Sequence, residues 1–204
     1  SNQIIEVGQV ELHNSDFWVH LTPSEAQEQQ KEVEEVIENP EEAVKGIQWP
    51  EWQVAVSGID FQDNSITYLV NDGTLSSDVF DQNAIGINHL NFQAREILLR
   101  DQQANLEIEN FTFEESSGIG LDALRLQAHV DDKELRLQDL VVQIDQNQIE
   151  GALGLTYQSL ENFLDQPQQT RVDAQLNRLQ VNISDIFKFQ PQLRNNPYLL
   201  NLSK

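Results

Sequence analysis

Ile87-Asn88-His89-Leu90-Asn91-Phe92-Gln93-Ala94 holds the unit that decides the fold: an apolar residue, two spacers, then apolar residues at every second place. The unit returns as Ile108…Phe111-Thr112-Phe113 and as Leu121…Leu124-Arg125-Leu126-Gln127-Ala128-His129-Val130. It returns again as Leu137…Leu140-Val141-Val142-Gln143-Ile144 and as Leu176…Leu179-Gln180-Val181-Asn182-Ile183. Alternation with period two belongs to a strand with one apolar and one wet face. A two-residue spacer reverses the parity, so each copy needs a bulge, kink or turn at that point to keep its apolar residues on one side. Repetition of the unit predicts one long sheet with one apolar face.

The same alternation extends outward from these copies. Ile5, Val7, Val10 and Leu12 lead to Phe17, Val19 and Leu21 across the turn-like Asn14-Ser15-Asp16, so residues 3–21 read as strands. Trp52, Val54 and Val56 alternate with Ile59 and Phe61 in continuation; Asp63-Asn64-Ser65 reads as a turn before Ile66, Tyr68 and Val70. Further turns fall at Asn71-Asp72-Gly73, Glu114 to Gly118, Asp131-Asp132-Lys133 and Asp145 to Gln148. Between these breaks the strands are expected to run near eight residues, about 26 Å. Gly151 and Gly154 permit bending or close approach, and Ser159–Phe163 reads as a helical turn.

Residues 22–47 differ in character. Thr22-Pro23-Ser24-Glu25 is a capping box with proline at the first helical position, and Asn39-Pro40-Glu41-Glu42 repeats the signal. An acidic helical insertion is expected here, its narrow stripe of Ala26, Val33, Val36 and Ile37 laid on an edge of the sheet. Residues 48–183 form the repetitive sheet. Residues 184–204 read as a short helix at Ser184–Phe187 followed by an irregular segment interrupted by Pro191 and Pro197, with the chain stopping within its architecture. Ser1-Asn2 reads as a processing or cloning remnant. The fold class expected is mainly β: a curved antiparallel sheet or partial barrel with one or two edge helices near the N-terminus.

Composition narrows the function. Among 204 residues, 34 acids face 12 bases, a formal net charge of −22. Such a surface repels phosphate backbones and anionic membranes, so nucleic acid is not an expected partner. Cysteine is absent, which excludes disulfides, thiolate metal sites and a cysteine nucleophile. No apolar run approaches the ~18 residues of a membrane span. No nucleophile elbow, phosphate-cradling loop or dinucleotide fingerprint occurs, so the chain reads as non-enzymatic and without a cofactor. The histidines His13, His20, His89 and His129 show no helical metal-pair spacing, and His89 and His129 fall at solvent-facing strand positions. Asp60…Asp63-Asn64-Ser65 and Asp131-Asp132 read as turns rather than calcium loops, and no metal is expected. Trp49-Pro50-Glu51-Trp52 offers either an aromatic platform for sugar or a seal between helix and sheet edge. The apolar face itself remains: it is either the core of a closed sandwich or a groove for hydrocarbon, and periodicity does not separate the two.

The stretch Ser117–Phe163 resembles the AsmA/TamB-like family of Gram-negative envelope proteins. The residues that carry the likeness are Ser117-Gly118…Leu121…Leu124-Arg125-Leu126…Val130…Asp132…Leu135-Arg136-Leu137…Leu140-Val141-Val142. They continue through Gln148-Ile149-Glu150-Gly151…Leu153…Leu155…Tyr157…Ser159-Leu160. Ile59-Asp60-Phe61…Asn64…Ile66-Thr67-Tyr68, Leu90–Arg100 and Leu176–Phe187 are similar to it as well. The likeness rests on ordered patterns rather than a catalytic motif, and it does not extend to residues 22–47. It implies a periplasmic segment of an inner-membrane-anchored protein, folded like a taco around a hydrophobic groove. It also implies a role in phospholipid movement between membranes or in outer-membrane assembly. On that reading the partners are phospholipid acyl chains and outer-membrane assembly proteins. The groove would be lined by Phe92, Phe111, Phe113, Leu124, Leu126, Val130, Leu140, Val142, Ile144, Leu179, Val181 and Ile183. The alternatives are an envelope scaffold or protein-interaction domain with a closed β core, and a glycan-binding domain using Trp49 and Trp52.

Overall fold

The computed structural model describes residues 4–22, 49 and 52–182. The helices expected within 22–47, the Ser184–Phe187 helix and Ile183 lie outside the described residues. Nine strands form one sheet: β1 (Ile4–His13), β2 (Asp16–Leu21), β3 (Gln53–Val70), β4 (Ala84–Arg100), β5 (Gln103–Glu115), β6 (Ile119–Asp131), β7 (Glu134–Ile144), β8 (Asn147–Thr156) and β9 (Arg171–Gln180). From β3 to β9 each strand pairs antiparallel with the next in sequence. The sheet is curved and unclosed, with β1 and β2 at one edge and β9 at the other.

The spacer in each sequence unit is a bulge, as its parity requires. Register shifts fall at Asn88/Asn91, Ile108/Phe111, Leu121/Ala123 and Leu137/Leu140. On β9, Leu176 and Arg178 face Gly151 and Glu150, which leaves Asn177 as the extra residue. His89 and Asp139, both spacer residues, take the positive φ of 50° that such an insertion demands of non-glycine backbone.

Three expectations change. Asp63-Asn64-Ser65 is not a turn: it is a bulge inside the 18-residue β3, with Asp63 at φ 52°. Strands run 10 to 18 residues from β3 onward, not eight, because bulges let the alternation resume without a chain reversal. The sheet is also not wholly antiparallel. β1 and β2 lie end to end along β3 and parallel to it, against Gln53–Gln62 and Ser65–Val70. A parallel pair needs a long crossover, and residues 22–52 supply the length.

Asn64 holds the break between β1 and β2. It is 1% exposed; its side-chain NH2 donates to Leu12 O (3.0 Å) and its Oδ1 accepts from Ser15 N (3.0 Å). The backbone closes round it, with Asn14 N donating to Gln62 O and Ser65 N to Ser15 O. A buried amide group tolerates an apolar face only when so satisfied.

The helical turn foreseen after Tyr157 is α1 (Leu160–Asp165), capped by the Ser159 hydroxyl, which accepts from Asn162 N. A short 310 turn (Pro167–Gln169) follows and leads into β9. Phe163 stacks on Tyr157 with centroids 5.0 Å apart, fixing α1 at the end of β8.

Candidate functional site: an apolar face crossing the sheet

Cross-strand pairing turns the sequence units into continuous rows. One row is Leu12, Phe61, Phe92, Phe111, Leu124, Val142, Ile149 and Leu179, each paired with the next, from edge to edge. A second is Ile5, Val54, Leu99, Ala104, Val130, Leu135, Leu155 and Val172. Between them lie Val10, Ile59, Ala94, Ile108 and Leu126, then Leu140, Gly151 and Leu176. Eight strands at ~4.8 Å spacing give each full row a length of about 34 Å. Phenylalanines concentrate near its centre. Phe92 meets Phe111 edge-on at 5.5 Å, and Phe61 and Phe113 flank them at 6.1 Å and 5.5 Å.

The structure thus gathers Phe92, Phe111, Leu124, Val142 and Leu179 into one row, and places Leu126, Leu140 and Val130 in the neighbouring ones. Phe113 pairs with Leu121, which pairs with Ile144. Val181 follows the end of β9 and is 57% exposed; Ile183 lies outside the described residues. Leu12, Phe61 and Ile149 complete the first row and were missed by the sequence reading. Their signal was the same alternation, but their membership depends on register between strands, which a single sequence does not display.

Very little of this face is fully buried. Among the described residues, Val70, Ala84, Ala94, Ile119, Leu121 and Tyr157 are the buried apolar ones, while most row members are half-buried and Ile5, Val10, Ile149, Val172, Leu176 and Leu179 are exposed. Among the described elements, substantial contacts join only neighbouring strands, and α1 with the 310 turn. No described strand or helix forms a second layer.

Polar groups mark one end of the face. Glu115, 5% exposed, accepts from Ser117 N (2.8 Å), Ser116 Oγ (2.8 Å), Gly86 N (3.4 Å) and the Ser117 hydroxyl. Burial works against its ionisation, but these donors outweigh it and hold the carboxyl below its usual range. The opposite face is polar. Arg95 grips Glu107 with two hydrogen bonds (2.9 and 3.1 Å) and reaches Glu109 at 2.9 Å. The hydrogen bond from Arg95 holds the Glu107 carboxyl below its usual range.

At the β6–β7 turn, Tyr157 donates from its hydroxyl to Asp131 O at 2.8 Å. Burial, then the charges of Asp131, Asp132 and Glu134, push its phenol up to about 12. Trp49 is half-buried and Trp52 is 45% exposed, so the two do not present a matched pair of open rings. No helix among the described residues is long and apolar enough to cross a membrane. No family profile, curated protein or solved structure matches the chain.

Proposed function

We propose that the apolar face is a trough that shelters phospholipid acyl chains, in a non-enzymatic envelope segment serving inter-membrane lipid transport or outer-membrane assembly. On this reading the segment works in the periplasm of a Gram-negative bacterium, in a protein anchored to the inner membrane. The observation that carries it is the unbroken apolar row from Leu12 to Leu179 on a sheet whose described residues supply no second layer. The likeness of Ser117–Phe163 to AsmA/TamB-like proteins supports the same reading.

The magnitudes are adequate. Each methylene removed from water contributes about 0.8 kcal/mol, so ten give roughly 8 kcal/mol. Association costs ~4–15 kcal/mol, so one tail must be mostly covered, or two tails partly covered, for retention. One leaflet of a bilayer core is about 15 Å thick, so a ~34 Å row exceeds the length of one tail. No single side chain dominates such an interface. Leu126→Asp and Val142→Asp should therefore each weaken capture in a graded way.

The test places a photo-crosslinking residue at Phe111 or Val142, with Arg125 on the polar face as control. Lipid adducts from the first two and not the third support the trough. Equal labelling from all three, or none from any, would remove it. The edge strand β9, all ten of its residues exposed, favours a second reading as a scaffold that adds a partner strand there. That reading expects crosslinks from β9 to protein rather than to lipid.

A further inference from the structure

We propose that His129, Asp131 and Glu134 form a divalent transition-metal site at the end of the β6–β7 hairpin, on the polar face. One donor atom from each residue lies within 4.8 Å of the others, and all three residues are half-buried. Ligands at ~2.1 Å from a tetrahedral ion stand about 3.4 Å apart, the separation His129 Nε2 and Asp131 Oδ2 already have, so closing the whole set requires side-chain shifts of up to about 1.4 Å.

The imidazole is already oriented. His129 Nδ1 lies 2.7 Å from Asn105 Oδ1, which can only accept, so the proton sits on Nδ1 and the lone pair of the neutral ring sits on Nε2. That nitrogen faces Asp131 Oδ2 at 3.4 Å. Two lone-pair atoms facing each other call for a cation between them: a proton or a metal ion. The Asp131 carboxylate is fixed as well, because Oδ1 accepts from Lys133 N (2.7 Å) and Glu134 N (2.8 Å). Glu134 completes the set from β7. Its Oε1 is held by Arg136 at 2.7 Å, a contact that bound metal must displace or share. One imidazole nitrogen and two carboxylate oxygens suit zinc-type ions better than calcium, which takes six to eight oxygens. Bound metal would join both strands of the hairpin across the Asp131–Glu134 turn.

Titration of the full chain with Zn2+, followed by calorimetry in enough salt to screen the acidic surface, tests the site. One saturable Zn2+ per chain is expected, and His129→Gln should weaken it at least tenfold while His89→Gln leaves it unchanged. Arg136→Ala, which frees Glu134, should tighten it severalfold. Circular dichroism checks that each variant is folded. Absence of Zn2+ uptake, equal affinity in His129→Gln, or no gain in Arg136→Ala would overturn the proposal.

Discussion

Replacement of Asn64 by leucine should detach the β1–β2 edge from the sheet. Two hydrogen bonds are lost at once, from Asn64 to Leu12 O and from Ser15 N to Asn64. An unsatisfied buried polar group costs about 1–3 kcal/mol. Leu12 and Ser15 are half-buried and water can partly reach them, so the lower part of that range applies to each. The sum is roughly 2–3 kcal/mol, acting on the edge rather than on the whole sheet. Local opening should then rise by about 30–150-fold. Amide hydrogen exchange reads this directly. Asn14 N, bonded to Gln62 O, and Ser65 N, bonded to Ser15 O, should lose protection, while the amides of Val141 and Val142 in β7 keep theirs. Asn64→Asp retains an acceptor for Ser15 but loses the donor to Leu12 and sets a buried carboxylate against that carbonyl, so its effect should be at least as large. Exchange at Asn14 and Ser65 altered less than threefold in Asn64→Leu would refute the argument that this amide holds the break.

Other perturbations follow from single contacts. A Cβ at Gly151 would meet Gln175 O at 2.1 Å, so Gly151→Ala should cost ~1–3 kcal/mol and release β9, seen as lost amide protection across Arg171–Gln180. The phenol of Tyr157 titrates near 10 when unfolded and about 12 when folded. Its contribution is therefore intact below pH ~10 and lost as pH rises through ~12, and Tyr157→Phe should flatten the alkaline stability profile over that window. His89 Nδ1 lies 2.7 Å from Asp63 Oδ1, a hydrogen bond that raises the imidazole above its ordinary value. NMR titration should place His89 higher in the native chain than in Asp63→Asn; equal values would refute the pairing.

The bulges were legible because parity is local: two spacers between apolar residues leave no other way to keep one face apolar. The Asp63 bulge was not, since Asp-Asn-Ser favours turns locally and the groups that satisfy Asn64 come from Leu12 and Ser15, some fifty residues earlier. The parallel direction of β1 and β2 was equally hidden, because alternation carries no sense of strand direction. Most of the proposed groove residues are read from the sequence as members of one face. Their assembly into rows with Leu12, Phe61 and Ile149 needed the register. His129 and Asp131 read separately, as a solvent-facing strand position and a turn, because with Glu134 they straddle a strand end, where neither helical nor simple strand spacing applies.

From β3 to β8, every strand is held by the one before it and the one after it. Such an arrangement is modular in the way solenoids are: inserting or deleting a hairpin would lengthen or shorten both faces without disturbing the rest. Growth of this kind conserves the row pattern, so the length of the apolar face scales with strand number. Assembly can likewise proceed by zipping adjacent hairpins, with low loop-closure cost at each step. β1 and β2 are the exception. They must find β3 across an intervening segment of some thirty residues, about Thr22 to Trp52, and that parallel edge should be the last part of the sheet to form and the first to open.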